Sequence, residues 1–197
     1  MAVKSPAARP QHPVRAAVLV VAAAVVLSTL TVLGLRWAAA PKTASMSQPG
    51  QALGFTRLDR VAPALSLPSL AGHGVINLAK LGGKPIVLNF WASTCTVCKK
   101  ETPALASVAR QLGKNVTFLG VDSVDERAPA VAFEDKYGVP YPSVFDPKGT
   151  AAIKYDVPAL PVTFFLSPSG KKILAENIGA LTASRLRVIL HMIYGTV

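Results

Sequence analysis

The segment from Ile86 to Gly113 limits the possible folds more than any other part of the chain. Ile86–Trp91, I-V-L-N-F-W, is short and apolar apart from Asn89, and it follows Gly82-Gly83-Lys84-Pro85. That is the pattern of a buried strand entered from a turn. Ser93-Thr94 lead into Cys95-Thr96-Val97-Cys98, which holds both cysteines of the 197-residue chain. Beyond them Leu105, Val108, Ala109 and Leu112 recur at helical spacing until Gly113. A buried strand therefore runs through a C-x-x-C into an amphipathic helix.

The elements around this unit alternate in kind. Val116–Val121 reads as a second buried strand, and Ala130–Tyr137 as a helix stopped by Gly138. Thr163–Leu166, the turn Pro168-Ser169-Gly170 and Lys172–Ile178 read as a hairpin. Ala183–Ile193 places Leu186, Ile189, Leu190 and Ile193 on one helical face. This β-α-β-α-β-β-α order predicts an α/β fold, a mixed central sheet with helices on both faces. Pro103 falls inside the first helix, where the apolar spacing continues past it, so a kinked helix is expected rather than a terminated one. No internal repeat is visible.

Ahead of this domain lies a different kind of segment. Ala16–Leu35 is 20 residues without a charge, about 30 Å long as a helix and so matched to a bilayer's hydrocarbon core. Lys4, Arg9 and Arg15 precede it, and Arg36 and Trp37 follow. The basic flank favours a cytoplasmic N-terminus. The predicted layout is a cytoplasmic tail at 1–15, a transmembrane anchor at 16–37, a flexible linker at 38–54 and a folded domain at 55–197. The rival reading is a signal peptide cleaved near Ala38-Ala39-Ala40. Either way the domain is exported, bound to the cell membrane in the first case and secreted in the second. The linker, rich in small residues with Pro and Gly, has a mean reach of roughly 20–25 Å.

The net charge of +11 does not point to nucleic acid. Residues 55–197 carry 16 basic and 10 acidic residues, a net +6, scattered rather than clustered. Nucleic-acid readers concentrate their charge on one face or stripe.

Three chemistries could use two cysteines at this spacing. A structural staple gains little here: closing a four-residue loop removes about 1.9 kcal/mol of unfolded-state entropy, against about 4.7 for a 100-residue loop. A zinc site wants four ligands, and beyond the cysteines only His73 and His191 follow the apolar run, neither in a spaced pair. Copper held by two thiolates and one histidine stays open. The redox reading fits the local physics best. Cys95 falls at a helix N-terminus, where free N–H groups and the dipole favour a thiolate. Lys99 and Lys100 add positive potential. Cys98, one turn deeper, can attack a mixed disulfide at Cys95 and release the partner. Cys95 is thus the expected nucleophile and Cys98 the resolving thiol. Glu101 shares the helical face of Cys98 and could carry its proton, or simply pair with a surface lysine.

Taken together, these motifs resemble the thioredoxin superfamily, specifically its TlpA/ResA-like, membrane-tethered thiol–disulfide oxidoreductases. The matching residues are Gly83-Lys84-Pro85, Asn89-Phe90-Trp91-Ala92, Cys95-x-x-Cys98-Lys99-Lys100-Glu101 and Pro103. Further along they are Gly138-Val139-Pro140-Tyr141-Pro142, Tyr155-Asp156-Val157, Leu160-Pro161-Val162-Thr163-Phe164-Phe165 and Pro168-Ser169-Gly170-Lys171. The resemblance implies a thioredoxin-like fold with Pro161 cis and facing the cysteines. It implies that Glu101 belongs to the active site and that Trp91, Leu160 and Pro161 meet the partner chain. It also implies exchange with exported cysteine-containing proteins, apocytochrome c among them, with electrons from a membrane thiol carrier and no cofactor beyond the redox-active Cys95–Cys98 pair. Thr94, where relatives usually carry Trp, and Val97, where Pro is common, depart from the pattern beside the sulfurs. Asn89 stands where cytoplasmic thioredoxins have a buried acid, which leaves proton handling to Glu101 or water.

Two alternatives compete with this reading. A peroxiredoxin-like peroxidase wants Thr and Pro three and seven residues before the reactive cysteine, where this chain has Ala92 and Leu88. A copper-delivery protein on the same fold uses a C-x-x-x-C with a distant histidine, one residue longer than the spacing here.

Overall fold

The computed structural model describes residues 54–72 and 74–195. The predicted tail and anchor, nearly all of the linker, and His73 lie outside them. Among the described residues no helix is long and apolar enough to cross a membrane.

Among the described residues eight strands and four α-helices follow one another. Strands β1 (Thr56–Val61), β2 (Ser66–Pro68) and β3 (Val75–Asn77) come first, then β4 (Ile86–Trp91) and helix α1 (Thr96–Leu112). Next come β5 (Thr117–Ser123), α2 (Arg127–Tyr137), β6 (Ser143–Asp146) and α3 (Thr150–Lys154). Strands β7 (Val162–Leu166) and β8 (Lys172–Ile178) and helix α4 (Ala183–Tyr194) complete the domain. Six strands form one sheet in the order β1-β8-β7-β4-β5-β6, and β2 and β3 pair separately. β4 is parallel to β5, and β5 to β6, while β7 runs antiparallel to both β4 and β8. The sheet is mixed, as the element order predicts.

Strand β4 is buried along its whole length, and its alternation divides the core. Ile86, Leu88 and Phe90 face one layer with Leu119, Val121, Tyr155 and Phe164. There Phe90 lies 5.3 Å from Tyr155 and meets Phe164 edge-on at 5.7 Å between centroids. Val87 faces the other layer, with Leu105 and Val108 of α1 and Leu186, Ile189 and Leu190 of α4. Period 2 in the strand and period 3.6 in the helices thus bury complementary faces.

Helix α1 runs on through Pro103. Proline has no N–H to donate and crowds the preceding turn. One residue earlier, Thr102 Oγ1 donates to the Cys98 carbonyl at 2.7 Å. Helix α2 ends where the sequence predicts, at Gly138, whose φ of +57° is the left-handed conformation that glycine adopts without a Cβ penalty.

The elements that the sequence reading lacks are the short ones. β6 has four residues and follows Pro140-Tyr141-Pro142, and α3 has five. Neither is long enough to show a period. β1 is an edge strand in which only Leu58 and Arg60 are half-buried, so its alternation carries no hydrophobic signal. β5 extends two residues beyond the predicted Val121, taking in Asp122 and Ser123, and α2 starts three residues earlier than expected.

Phe164 is fully buried where Phe90 and Tyr155 meet. Phe164→Ala should lower unfolding stability by about 3–5 kcal/mol, seen as an earlier urea midpoint with an unchanged slope.

Candidate active site

The site sits at the carboxyl end of β4, where the chain turns through Ser93-Thr94 into α1. Cys95 is the N-cap of that helix, with extended backbone, and its Sγ accepts the Cys98 N–H at 3.0 Å. The two sulfurs form a disulfide across the turn. Their environments differ: Cys95 is half-buried, whereas Cys98 is 0% exposed. Cys98 packs in one cluster with Leu70, Trp91, Ala130 and Phe133, and Cys95 and Leu160 lie against its edge. Lys99 and Lys100 are exposed in the first turn.

Glu101 is brought inside rather than left to a surface lysine. Only 1% of it is exposed. Its Oε1 accepts from Asn89 Nδ2 at 2.9 Å and its Oε2 from the Leu181 N–H at 3.0 Å. Asn89 also donates to Thr163 Oγ1 at 3.0 Å, across the β4–β7 pair in which those two residues are register partners. Burial pushes the Glu101 carboxyl up to about 7, against the lowering effect of its two hydrogen bonds. At neutral pH it therefore exists in both protonation states. That is the condition for a group that takes and returns a proton.

The Leu160–Pro161 peptide bond is cis. It opens β7, and the Pro161 carbonyl accepts from the Gly179 N–H at 2.9 Å. Leu160 is half-buried against the Cys98 cluster and Pro161 is buried. Trp91 is placed differently from the expectation of partner contact. It is only 4% exposed and stacks on Phe133 of α2 at 4.7 Å between centroids. Its position on a central strand points the indole into the layer beneath α1 and α2, so it forms the floor of the site.

Sequence reasoning missed Asp125 and Ser93. The Asp125 carboxylate accepts the Ser93 N–H and, at 3.0 Å, the Ser93 hydroxyl, and it also accepts the Glu126 N–H at 2.8 Å. This clasp holds the loop two residues before Cys95. A carboxylate 32 residues away leaves no local pattern to read. Val124, immediately before it, adopts φ of +54°, which a β-branched residue rarely does.

Ala92 and Leu88, the positions that a peroxidatic motif would fill with Thr and Pro, are both buried and apolar. His191 is exposed in the last turn of α4. Among the described residues no group of three or more His, Cys, Asp or Glu side chains is arranged to hold a metal ion.

Comparison with known proteins agrees with this geometry. Residues 58–173 match the sequence profile of the AhpC/TSA family. The chain is 33% identical over 119 residues to the thiol-disulfide oxidoreductase ResA of Bacillus subtilis, covering 60% of this chain and 66% of that one. It is 36% identical over 115 residues to the thiol:disulfide interchange protein DsbE of Xylella fastidiosa, covering 57% of each. In both cases the match spans less than two thirds of the relative. Among solved structures, a DsbF homologue from Corynebacterium diphtheriae superposes with a TM-score of 0.63 at 26% identity, covering 71% of this chain and 92% of the other.

The raised titration of Glu101 has a signed consequence for stability. Its carboxyl holds a proton more tightly in the fold than in the unfolded chain, where it titrates near 4.5. The stabilisation is therefore full below pH 4.5 and is lost as pH rises through about 7. Unfolding free energy should fall by about 3 kcal/mol over that interval from this group. Glu101→Gln should flatten the profile there. An unchanged slope would mean that the carboxyl titrates normally.

Proposed function

The chain belongs to the AhpC/TSA family, on its thioredoxin-like, TlpA/ResA-like branch, and from that premise we propose that it is an extracytoplasmic thiol–disulfide oxidoreductase that reduces disulfides in exported proteins. The observation that carries this reading is the inequality of the two sulfurs: Cys95 caps a helix and is reachable, whereas Cys98 is sealed one turn below it.

In the reduced state the Cys95 thiolate, favoured by the helix N-terminus, attacks one sulfur of a substrate disulfide. The substrate S–S bond breaks, a Cys95–substrate bond forms, and one substrate thiolate leaves. The Cys98 thiol then gives its proton to the Glu101 carboxylate and attacks Cys95 Sγ. The mixed disulfide breaks, the second substrate thiolate leaves, and Cys95–Cys98 is oxidised. Two electrons have passed to the substrate. The departing thiolates take up protons, one of which Glu101 can return. A further dithiol, such as a membrane thiol carrier, must then reduce the pair.

Exported cysteine-containing proteins, apocytochrome c among them, are the proposed substrates. The apolar run at 16–37 is the proposed attachment to the membrane. Leu160 and the cis-proline loop form the proposed docking edge, because they border the cysteine cluster and open a strand whose end faces the site.

Cys98→Ala removes the resolving sulfur and leaves the nucleophile. In cells it should accumulate covalent mixed disulfides, visible on non-reducing gels, that dissolve with reductant and are absent from Cys95→Ala. Adducts on Cys95→Ala alone would reverse the roles of the sulfurs, and adducts on neither would overturn the exchange reading.

A further inference from the structure

Glu101 is not the only acid buried near the cysteines. Asp122, near the end of β5, is 0% exposed, and both its carboxyl oxygens lack a hydrogen-bond partner among the described residues. Strand alternation places it on the helix side of the sheet: Leu119 and Val121 face the opposite layer, whereas Phe118 packs with α1 and α4. Asp122 is the register partner of Trp91 on the neighbouring parallel strand. Their side chains stand beside one another on the same face, and Trp91 packs in the cluster that contains Cys98. One side chain therefore separates this carboxyl from the sealed sulfur. Two positions earlier on the same face, a Cβ on Gly120 would collide with Ser143 Oγ and crowd Trp91 Nε1. The indole is thus held tightly against β5.

The charged groups facing Asp122 are few. Asp125 stands beside it in the loop after β5, and α2 contributes Glu134 and Arg127. Arg127 is already engaged: it donates to the Ser69 and Leu70 carbonyls at 2.8 and 2.6 Å and lies over the Phe145 ring at 4.3 Å. From β4 comes Trp91, from β6 the uncharged Ser143, and from α1, through Trp91, Cys98. Among the described residues the one positive group in reach, Arg127, is committed elsewhere, and two carboxyls crowd the same space. An isolated carboxylate sealed in such a place is costly, and the neutral acid is favoured.

We propose that Asp122 is a positioning residue of the exchange reaction, which acts through Trp91 to set the charge behind Cys98 and hence the pH range over which that sulfur can give up its proton. The inference rests on the exchange reading for its functional meaning. Burial, then the neighbouring carboxyls, push Asp122 up to about 8, with Arg127 opposing. Near neutral pH its carboxyl is uncharged, and the Cys98 proton passes to Glu101 without opposition from this side. Above about pH 8 it ionises, and its negative charge disfavours the Cys98 thiolate. Resolution of the mixed disulfide then slows.

The test needs no substrate. In reduced full-length Cys95→Ser protein, Cys98 is the remaining thiol, and its ionisation can be followed by ultraviolet thiolate absorbance against pH. Adding Asp122→Asn should move that titration down by about one pH unit, a tenfold rise in the thiolate-to-thiol ratio at a given pH. Asp122→Glu, which keeps the charge, should restore the higher value. Asp122→Ser supplies a second neutral variant should the Asn protein not fold. Coincident titrations in the acidic and neutral variants would overturn the proposal. Failure of the exchange reading would show instead as no trapped adduct in Cys98→Ala cells, whatever the thiolate titration gives.

Discussion

A buried carboxyl accepting two hydrogen bonds holds the reactive end of this domain together. Glu101 reaches from α1 to Asn89 on the central strand and to the backbone of Leu181, just before α4. The central strand, the helix that follows it and a segment 80 residues further on are fastened through one side chain. Removing a carboxylate from water is costly unless donors replace the water, and hydrogen bonds to a charged group return about 1.5–3 kcal/mol each. Here two donors offset the cost in part. The remainder appears as a proton held up to about pH 7. The burial that ties the helix to the sheet thus also makes the group useful as a proton carrier.

The sheet topology places the cysteine pair where such a group can serve it. β4 has β5 on one side and β7 on the other: the chain leaves β4 for β5 and β6, then crosses back past β4 to lay down β7 on its far side. In open α/β sheets the crevice beyond the carboxyl ends of the strands, at such a switch in order, is where ligands bind. The pair sits there, bordered by the cis peptide that opens β7 and by the loop clasped between Ser93 and Asp125. The helix N-terminus faces the accessible sulfur, and the apolar cluster encloses the other. Their reactivities differ because their surroundings do.

Much of this was legible in the residues, and the boundary of legibility is physical. The strand Ile86–Trp91 and the helix after it announce themselves because each obeys one period over many residues. Both elements of the β7–β8 hairpin and the helix ending at Gly138 could be read for similar reasons, periodicity and turn chemistry. β6, α3 and the edge strand β1 could not, being too short or too exposed to show a pattern. Trp91 misled: a tryptophan beside a C-x-x-C suggests a contact surface, but its strand direction sends the indole inward, under α2. Asp122 escaped notice because the apolar run ends at Val121, and the polar residues after it look like a loop until pairing with β4 and β6 extends the strand.

The sequence by itself determined that two cysteines lie at a strand–helix junction, three positions and about one helical turn apart, with an acid three residues further on. Local chain chemistry settles such things, since spacing, propensity and capping act within a few residues. Which sulfur is sealed, that Glu101 turns inward to Asn89 and Leu181, that Asp125 clasps Ser93, and that Asp122 lies behind Trp91 were decided only by tertiary structure. Burial is a property of everything packed around a group. Desolvation, which sets the proton affinity of both buried acids, begins when strands and helices far apart in the chain close over them.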